Sequence, residues 1–260
     1  MMHQLRLFFT ALQFFTRLPI PRWVGFEQAW LNQASRYFPL VGVVVGAIAA
    51  AVYALAALWL PAAVAAVLST AATIYMTGAF HEDGFADTCD GLGGGMTKER
   101  ALEIMKDSRV GAYGAIGIVC MLGAKLAALA TLPPASAIGA LLLAHPLSRL
   151  AATSLIWQMQ YARAEGKAKP LAVRMGDGEF GIASACVAVM ALLLLMFGAL
   201  DLAALTAAVL AALIATLWLA RKFTLRLQGY TGDCLGAVQQ LSEVAIYIAV
   251  LATLGHGALA

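Results

Sequence analysis

Long apolar runs of nearly constant length alternate with short polar ones along this chain. The pattern predicts helices over roughly 37–60, 61–80, 111–132, 135–157, 180–199, 201–220 and 234–254, each close to the roughly 20 residues a helix needs to cross about 30 Å of hydrocarbon. Ahead of them, Leu5, Phe8, Phe9, Leu12 and Phe15 recur at helical spacing opposite Gln4, Arg6, Gln13 and Arg17. That suits a helix lying in the membrane interface, although a plain leader before the first span fits equally well. The expected fold is all-α, a polytopic transmembrane helical bundle of about seven spans. It forms one integral membrane domain over residues 1–260, with residues 1–22 as the interfacial segment. No secretory signal is expected, because residues 1–22 hold Arg6, Arg17, Arg22 and two prolines without an uninterrupted apolar core. No internal repeat is visible.

Composition agrees with lipid as the solvent. The 260 residues are 62% hydrophobic and 12% charged, against about 25% charged in soluble domains. The basic residues are unevenly placed. Arg6, Arg17, Arg22, Arg36, Lys98, Arg100, Lys106, Arg109, Arg163, Lys167, Lys169, Arg174, Arg221, Lys222 and Arg226 all fall on one side of the predicted spans, which leaves two of the 17 elsewhere. The connectors near Pro61, Pro133 and Gly198 carry none. By the positive-inside rule the basic side is cytoplasmic, with the N-terminus in and the C-terminus out of a bacterial inner membrane. The cysteines at 89, 120, 186 and 234 form no CxxC pair, so neither a disulfide nor a zinc site is expected.

The stretch HEDGFADTCDG at 81–91 places four carboxylates within nine positions of a chain that has only 14 acidic residues. If the second span continues through residue 90, the 100° step puts Asp83, Asp87 and Asp90 within an arc of about 60°. Three carboxylates so close need a compensating charge, and oxygen-only ligands suit a hard divalent cation such as Mg²⁺. Glu82 lies off that face and His81 further still, so either could support the site or act in catalysis. Gly84 and Gly91 are expected to let a phosphate approach closely, and GLGGG at 91–95 to form a phosphate-tolerant loop. The plain alternative is a solvated acidic helix end relieved by the nearby basic residues.

Other candidates lie near this stretch or inside the spans. A helix at 97–109, capped by Thr97, carries Asp107 and Arg109, and Glu103 to Lys106 is an expected surface pair. GYTGDCLG at 229–236 opens the last helix with Gly232 and Asp233, either an anion site at a helix N-terminus or a plain N-cap. Asp177 reads as a turn and cap. Lys125, His145, Arg149 and Glu243 fall within apolar runs, where an ionised group is costly unless it faces protein or water. Arg149 and Glu243 could reach a phosphate or pair with each other. Lys125 is expected to be paired or to snorkel outward, and His145 to hydrogen-bond across helices.

HxDGxxDxxDG at 81–91 and RALEIMKDSRVGAYG at 100–114 resemble the signature of the cobalamin synthase family, the adenosylcobinamide-GDP ribazoletransferases. The likeness extends through FFTRLPIP at 14–21, FPLVG at 38–42, SR at 148–149, YARAEG at 161–166 and GYTGDCLGA at 229–237. The resemblance implies that α-ribazole, or its 5′-phosphate, attacks the cobinamide-linked phosphate of adenosylcobinamide-GDP and expels GMP, with Mg²⁺ as cofactor. On that reading Asp83, Asp87 and Asp90 hold the metal, with Asp107 able to complete its shell, and one of the three or Glu82 accepts a proton. His81, Arg109, Arg149, Gly232, Asp233 and Glu243 contact substrate. No nucleic-acid partner is expected, while a homo-oligomer or association with other cobalamin-synthesis enzymes stays open. The acidic run also resembles the CDP-alcohol phosphotransferases, whose DGxxAR core is absent here. A secondary transporter is the alternative from another class, although its charges would sit near the midplane.

Overall fold

A computed structural model describes residues 2–25, 27, 30–162 and 174–255. The basic residues Arg163, Lys167 and Lys169, and most of the YARAEG stretch, lie outside the described residues. Among those described, every element is helical apart from a single parallel bridge between Tyr161 and Tyr230. The order is α1 (Met2–Phe15), α2 (Trp30–Ala34), a 3₁₀ turn, α3 (Phe38–Ala56), α4 (Ala62–Thr77), α5 (Phe80–Gly94), α6 (Lys98–Ile104), α7 (Ala112–Thr131), α8 (Pro134–Gln158), α9 (Asp177–Met196), α10 (Leu202–Leu227) and α11 (Gly232–Thr253).

Six of these stretches, α2–α3 taken together, α7, α8, α9, α10 and α11, are long and apolar enough to cross a membrane. The bent pair α4 and α5 makes a seventh if counted as one span. The protein is therefore a multi-pass helical membrane protein. Its most covered span is α11, which packs against α5, α7, α8 and α10, while α9 is the most lipid-exposed. One apolar cluster, with Phe38, Phe223, Tyr230 and Val238, fills the end carrying the long loops. A second, with Tyr53, Leu129, Leu141 and Tyr247, fills the end with the short connectors.

Several expected elements shift. The sixth predicted span, 201–220, runs on to Leu227, so Arg221, Lys222 and Arg226 extend α10 rather than entering a loop. On α1 the buried residues are Leu7, Thr10, Ala11, Leu12 and Phe15, whereas Leu5 is exposed. The buried stripe is thus rotated from the one read in the sequence, because α1 packs on α2 and α3.

The largest departure is at the second span. It does not continue through residue 90, since α4 ends at Thr77 and α5 leaves it at 89°. The chain turns through two consecutive left-handed residues, Gly78 at φ 67° and Ala79 at φ 58°. Glycine adopts that conformation without penalty and alanine does not. The segment after α1 holds the corner: the Arg17 N–H donates to the Met76 carbonyl at 2.8 Å, and its guanidinium lies so close that a Cβ on Gly78 would meet Nε at 3.0 Å. Phe15 stacks on His81 with ring centroids 5.5 Å apart, and Phe14 meets Phe80 edge-on. The FFTR stretch is therefore a clamp on the bend.

Candidate active site at the start of the long-loop face

Helix α5 is covered along two stripes and open along a third. His81, Gly84, Thr88 and Gly91 form one buried stripe, and Glu82, Ala86 and Asp90 form the other. Between them Asp83 is exposed and Asp87 half-buried. The two are one turn apart, so their side chains lie on the same face. Asp90 shares that arc, but its carboxylate is turned against α7. Oδ2 accepts the Gly111 N–H at 2.7 Å and Oδ1 accepts the Gly114 N–H at 2.8 Å. Gly111 is the N-cap of α7 and has no side chain to satisfy the helix's orphan amides, so Asp90 supplies the cap from another helix.

The two glycines do not open space for a phosphate as expected. A Cβ on Gly84 would meet Asp233 Cα at 3.0 Å, and one on Gly91 would meet the Met105 side chain at 2.6 Å. On the facing helix, a Cβ on Gly236 would come within 3.0 Å of the His81 carbonyl. These positions are glycine because α11 and α6 press directly on α5, the close approach that small residues permit in membranes. The start of α11 is thereby brought beside the acidic edge. Thr231 is its N-cap, accepting the Cys234 N–H at 3.3 Å and donating to Asp233 Oδ2 at 3.2 Å. At Gly232 a Cβ would touch nothing within 4 Å.

Asp107 and Arg109 are engaged with each other. Arg109 donates from Nη2 to Asp107 Oδ2 at 2.6 Å and from Nε and its backbone N–H to Oδ1 at 3.0 and 3.1 Å. The hydrogen bonds from Arg109 hold the Asp107 carboxyl down at about 2. Among the described residues, no three His, Cys, Asp or Glu side chains converge as a metal site. Asp83 is exposed and Asp87 half-buried on one face of α5, while Asp90 caps α7 and Asp107 pairs with Arg109.

Other predicted pairings resolve differently. Thr97 caps α6 as expected, accepting the Arg100 N–H at 3.2 Å, yet α6 stops at Ile104 and the surface pair is Arg100 with Glu103. The N-cap of α9 is Gly176, whose N–H donates to Glu179 at 2.9 Å, while Asp177 accepts from the Trp157 indole at 2.7 Å.

Beneath α5, inside the bundle, lies a buried polar network. Lys125 Nζ stands 2.5 Å from Glu243 Oε1, and both side chains are almost wholly buried. The lysine therefore pairs and does not snorkel, and Arg149 is not the partner of Glu243: it donates to the His145 carbonyl at 3.1 Å. Glu243 also accepts from Tyr247 at 3.0 Å and from Gln239 at 2.6 Å. Gln239 further donates to Ser148 at 3.1 Å. His145 makes no hydrogen bond through its ring, its Nδ1 lying 3.5 Å from Glu243 Oε2. Gln240 donates to Gln239 Oε1 at 2.9 Å and to Glu82 Oε1 at 3.0 Å. A small cavity of about 10 Å³ is lined by Glu82, Arg149, His145 and Gln240 among others. Gln239 and Gln240 were not singled out in the sequence, and Arg17 was read there only as a basic residue beside the first span. Two adjacent glutamines within an apolar 22-residue helix were the available signal.

Fold and site together define a multi-pass helical membrane protein that carries an acidic helix, bent across the end of its bundle, over a buried ion pair. A family model described as cobalamin-5-phosphate synthase matches residues 7–251, and the chain belongs to that family. It is similar to the adenosylcobinamide-GDP ribazoletransferase of Leptothrix cholodnii, 46% identical with 97% of each chain covered. The enzymes of the same name from Shewanella pealeana and Ralstonia pickettii are each 47% identical, with 95% and 94% of both chains covered. No solved structure matches the chain. Full-length similarity to transferases of one name favours neither the CDP-alcohol phosphotransferase nor the transporter reading.

Proposed function

We infer that this chain is an adenosylcobinamide-GDP ribazoletransferase, joining α-ribazole or its 5′-phosphate to adenosylcobinamide-GDP. The observation that carries this reading is the near-complete coverage by relatives bearing that name, with the acidic signature placed on an open helix edge. In the reaction the ribose hydroxyl oxygen forms a bond to the cobinamide-linked phosphorus, the bond from that phosphorus to the bridging oxygen breaks, and GMP leaves. The hydroxyl proton must be taken up.

The residues fit a Mg²⁺ requirement. Asp83 and Asp87 offer all-oxygen donors one turn apart, and Mg²⁺ usually takes one or two carboxylates and completes its shell with water and substrate phosphate. Asp90 retains lone pairs beyond the two used by α7. Bound there, the ion would neutralise charge developing on the bridging and leaving oxygens. The chain's own part is to hold the edge rigid. Asp90 fixes α5 to α7, Gly84 and Gly236 fix it to α11, and Gly232 leaves room beside the edge for the diphosphate. Asp83 or Asp87 is placed to receive the proton. We read the side bearing the long loops as cytoplasmic, because Lys98, Arg100, Lys106, Arg109, Arg221, Lys222 and Arg226 gather there.

Purified protein supplied with Mg²⁺, α-ribazole and adenosylcobinamide-GDP should release GMP and form the cobalamin, and chelation should stop it. Asp87→Asn should lower turnover by at least about a hundredfold, the scale of losing one group that stabilises transition-state charge, in protein whose thermal unfolding shows that it still folds. Turnover near that of the unaltered chain would remove Asp87 from the metal site.

A further inference from the structure

We propose that Glu82 is a positioning residue: through Gln240 and Gln239 it ties α5 to the buried Lys125–Glu243 pair and so sets the rotation that presents Asp83 and Asp87. The proposal rests on reading those two aspartates as the working edge. Helix α5 has 15 residues and meets α11 through Gly84 and Gly236, a contact of backbone on backbone. Such a contact sets the distance between the helices. Directional bonds add to the aromatic clamp in fixing how α5 is turned about its axis. At one end of α5 Asp90 provides them by accepting two amides of α7. At the other, Glu82 Oε1 accepts from Gln240 Nε2, which also donates to Gln239 Oε1; Gln239 Nε2 in turn donates to Glu243, the partner of Lys125.

The chain of donors has a fixed direction. Carboxylate oxygens accept and amide NH₂ groups donate, so Gln240 turns its NH₂ towards Glu82 and Gln239 its NH₂ towards Glu243. Lys125 anchors the far end, its ammonium lying 2.5 Å from Glu243 Oε1. All five side chains are at least nine-tenths buried, so water does not compete for their bonds. Glu82 itself points away from the open edge, on the stripe with Ala86 and Asp90, which suits support and not contact with substrate.

Cys89 reports the rotation directly. It lies on α5, half-buried, with its sulfur so close to α7 that a Cβ on Gly117 would meet Sγ at 2.8 Å. In full-length protein whose other three cysteines are replaced by alanine, maleimide labelling of Cys89 should be slow. Gln240→Leu should speed it severalfold and raise the half-saturating Mg²⁺ concentration for turnover about tenfold, with turnover at saturating Mg²⁺ largely retained. Glu82→Leu cuts the same link from the other end and serves if Gln240→Leu does not fold. The double variant should be no worse than either single one. Glu82→Gln keeps an oxygen acceptor and should keep Cys89 protected.

Two outcomes would overturn the proposal. One is a Cys89 labelling rate unmoved by both leucine substitutions. The other is loss of turnover in Glu82→Gln with Cys89 still protected, which would make Glu82 the proton acceptor. Failure of the metal reading is separate: it would appear as Mg²⁺-independent turnover, with the Cys89 result standing by itself.

Discussion

Lys125 illustrates how a single residue takes its meaning from a partner. Alone in an apolar helix it is an expensive charge; beside Glu243 it completes a neutral, hydrogen-bonded unit with Tyr247 and Gln239. Lys125→Met should leave the Glu243 carboxylate buried without compensation and cost about 3–5 kcal/mol, the usual penalty for stranding one member of a buried pair. Lys125→Met combined with Glu243→Gln should recover most of that loss. Thermal unfolding of the purified variants in detergent checks both, and equal destabilisation of the single and the double variant would show that the pair carries no such coupling. Asp90 makes the same point with amides in place of a lysine. Its place in the acidic run was legible from sequence, whereas its use as the cap of α7 was not, because Gly111 lies 21 residues away in the chain.

At the scale of elements, the decisive feature is the corner between α4 and α5. A helical period of carboxylates reads the same whether the helix is continuous or broken before it, so the arc of Asp83, Asp87 and Asp90 could be derived while the 89° bend could not. Gly78 was a possible signal, but an isolated glycine in a helical run does not by itself mark a break. The corner also stores strain at Ala79, a non-glycine residue at φ 58°. Ala79→Gly should therefore stabilise the protein by about 1 kcal/mol, the relief of one left-handed alanine. Gly78→Val should destabilise it, since the side chain would meet both an unfavourable φ and the Arg17 guanidinium. Chemical or thermal denaturation distinguishes the two, and a loss of stability in Ala79→Gly would contradict the strain assignment.

For the whole molecule the central question is which way it faces. Met96 is 87% exposed between α5 and α6, and Trp59 is 78% exposed between α3 and α4, at the opposite end of the bundle. With the native cysteines removed, a membrane-impermeant thiol reagent should label Met96→Cys in inverted membrane vesicles and Trp59→Cys only from the other side. The reverse pattern would place the acidic helix outside and sever it from cytoplasmic nucleotides.

The sequence alone determined what depends on local order and on the solvent. The lengths and apolarity of the runs fixed a helical membrane bundle, the uneven spread of lysine and arginine predicted a side, and the acidic signature named a family. Each of these follows from residues close together in the chain or from sums over it. Tertiary structure decided the rest: that α5 turns across the bundle, that Gly84 and Gly91 receive neighbouring helices in place of a phosphate, and that Lys125, not Arg149, meets Glu243. Those outcomes depend on which helix faces reach each other, and burial makes pairing obligatory without saying which partner will be in reach.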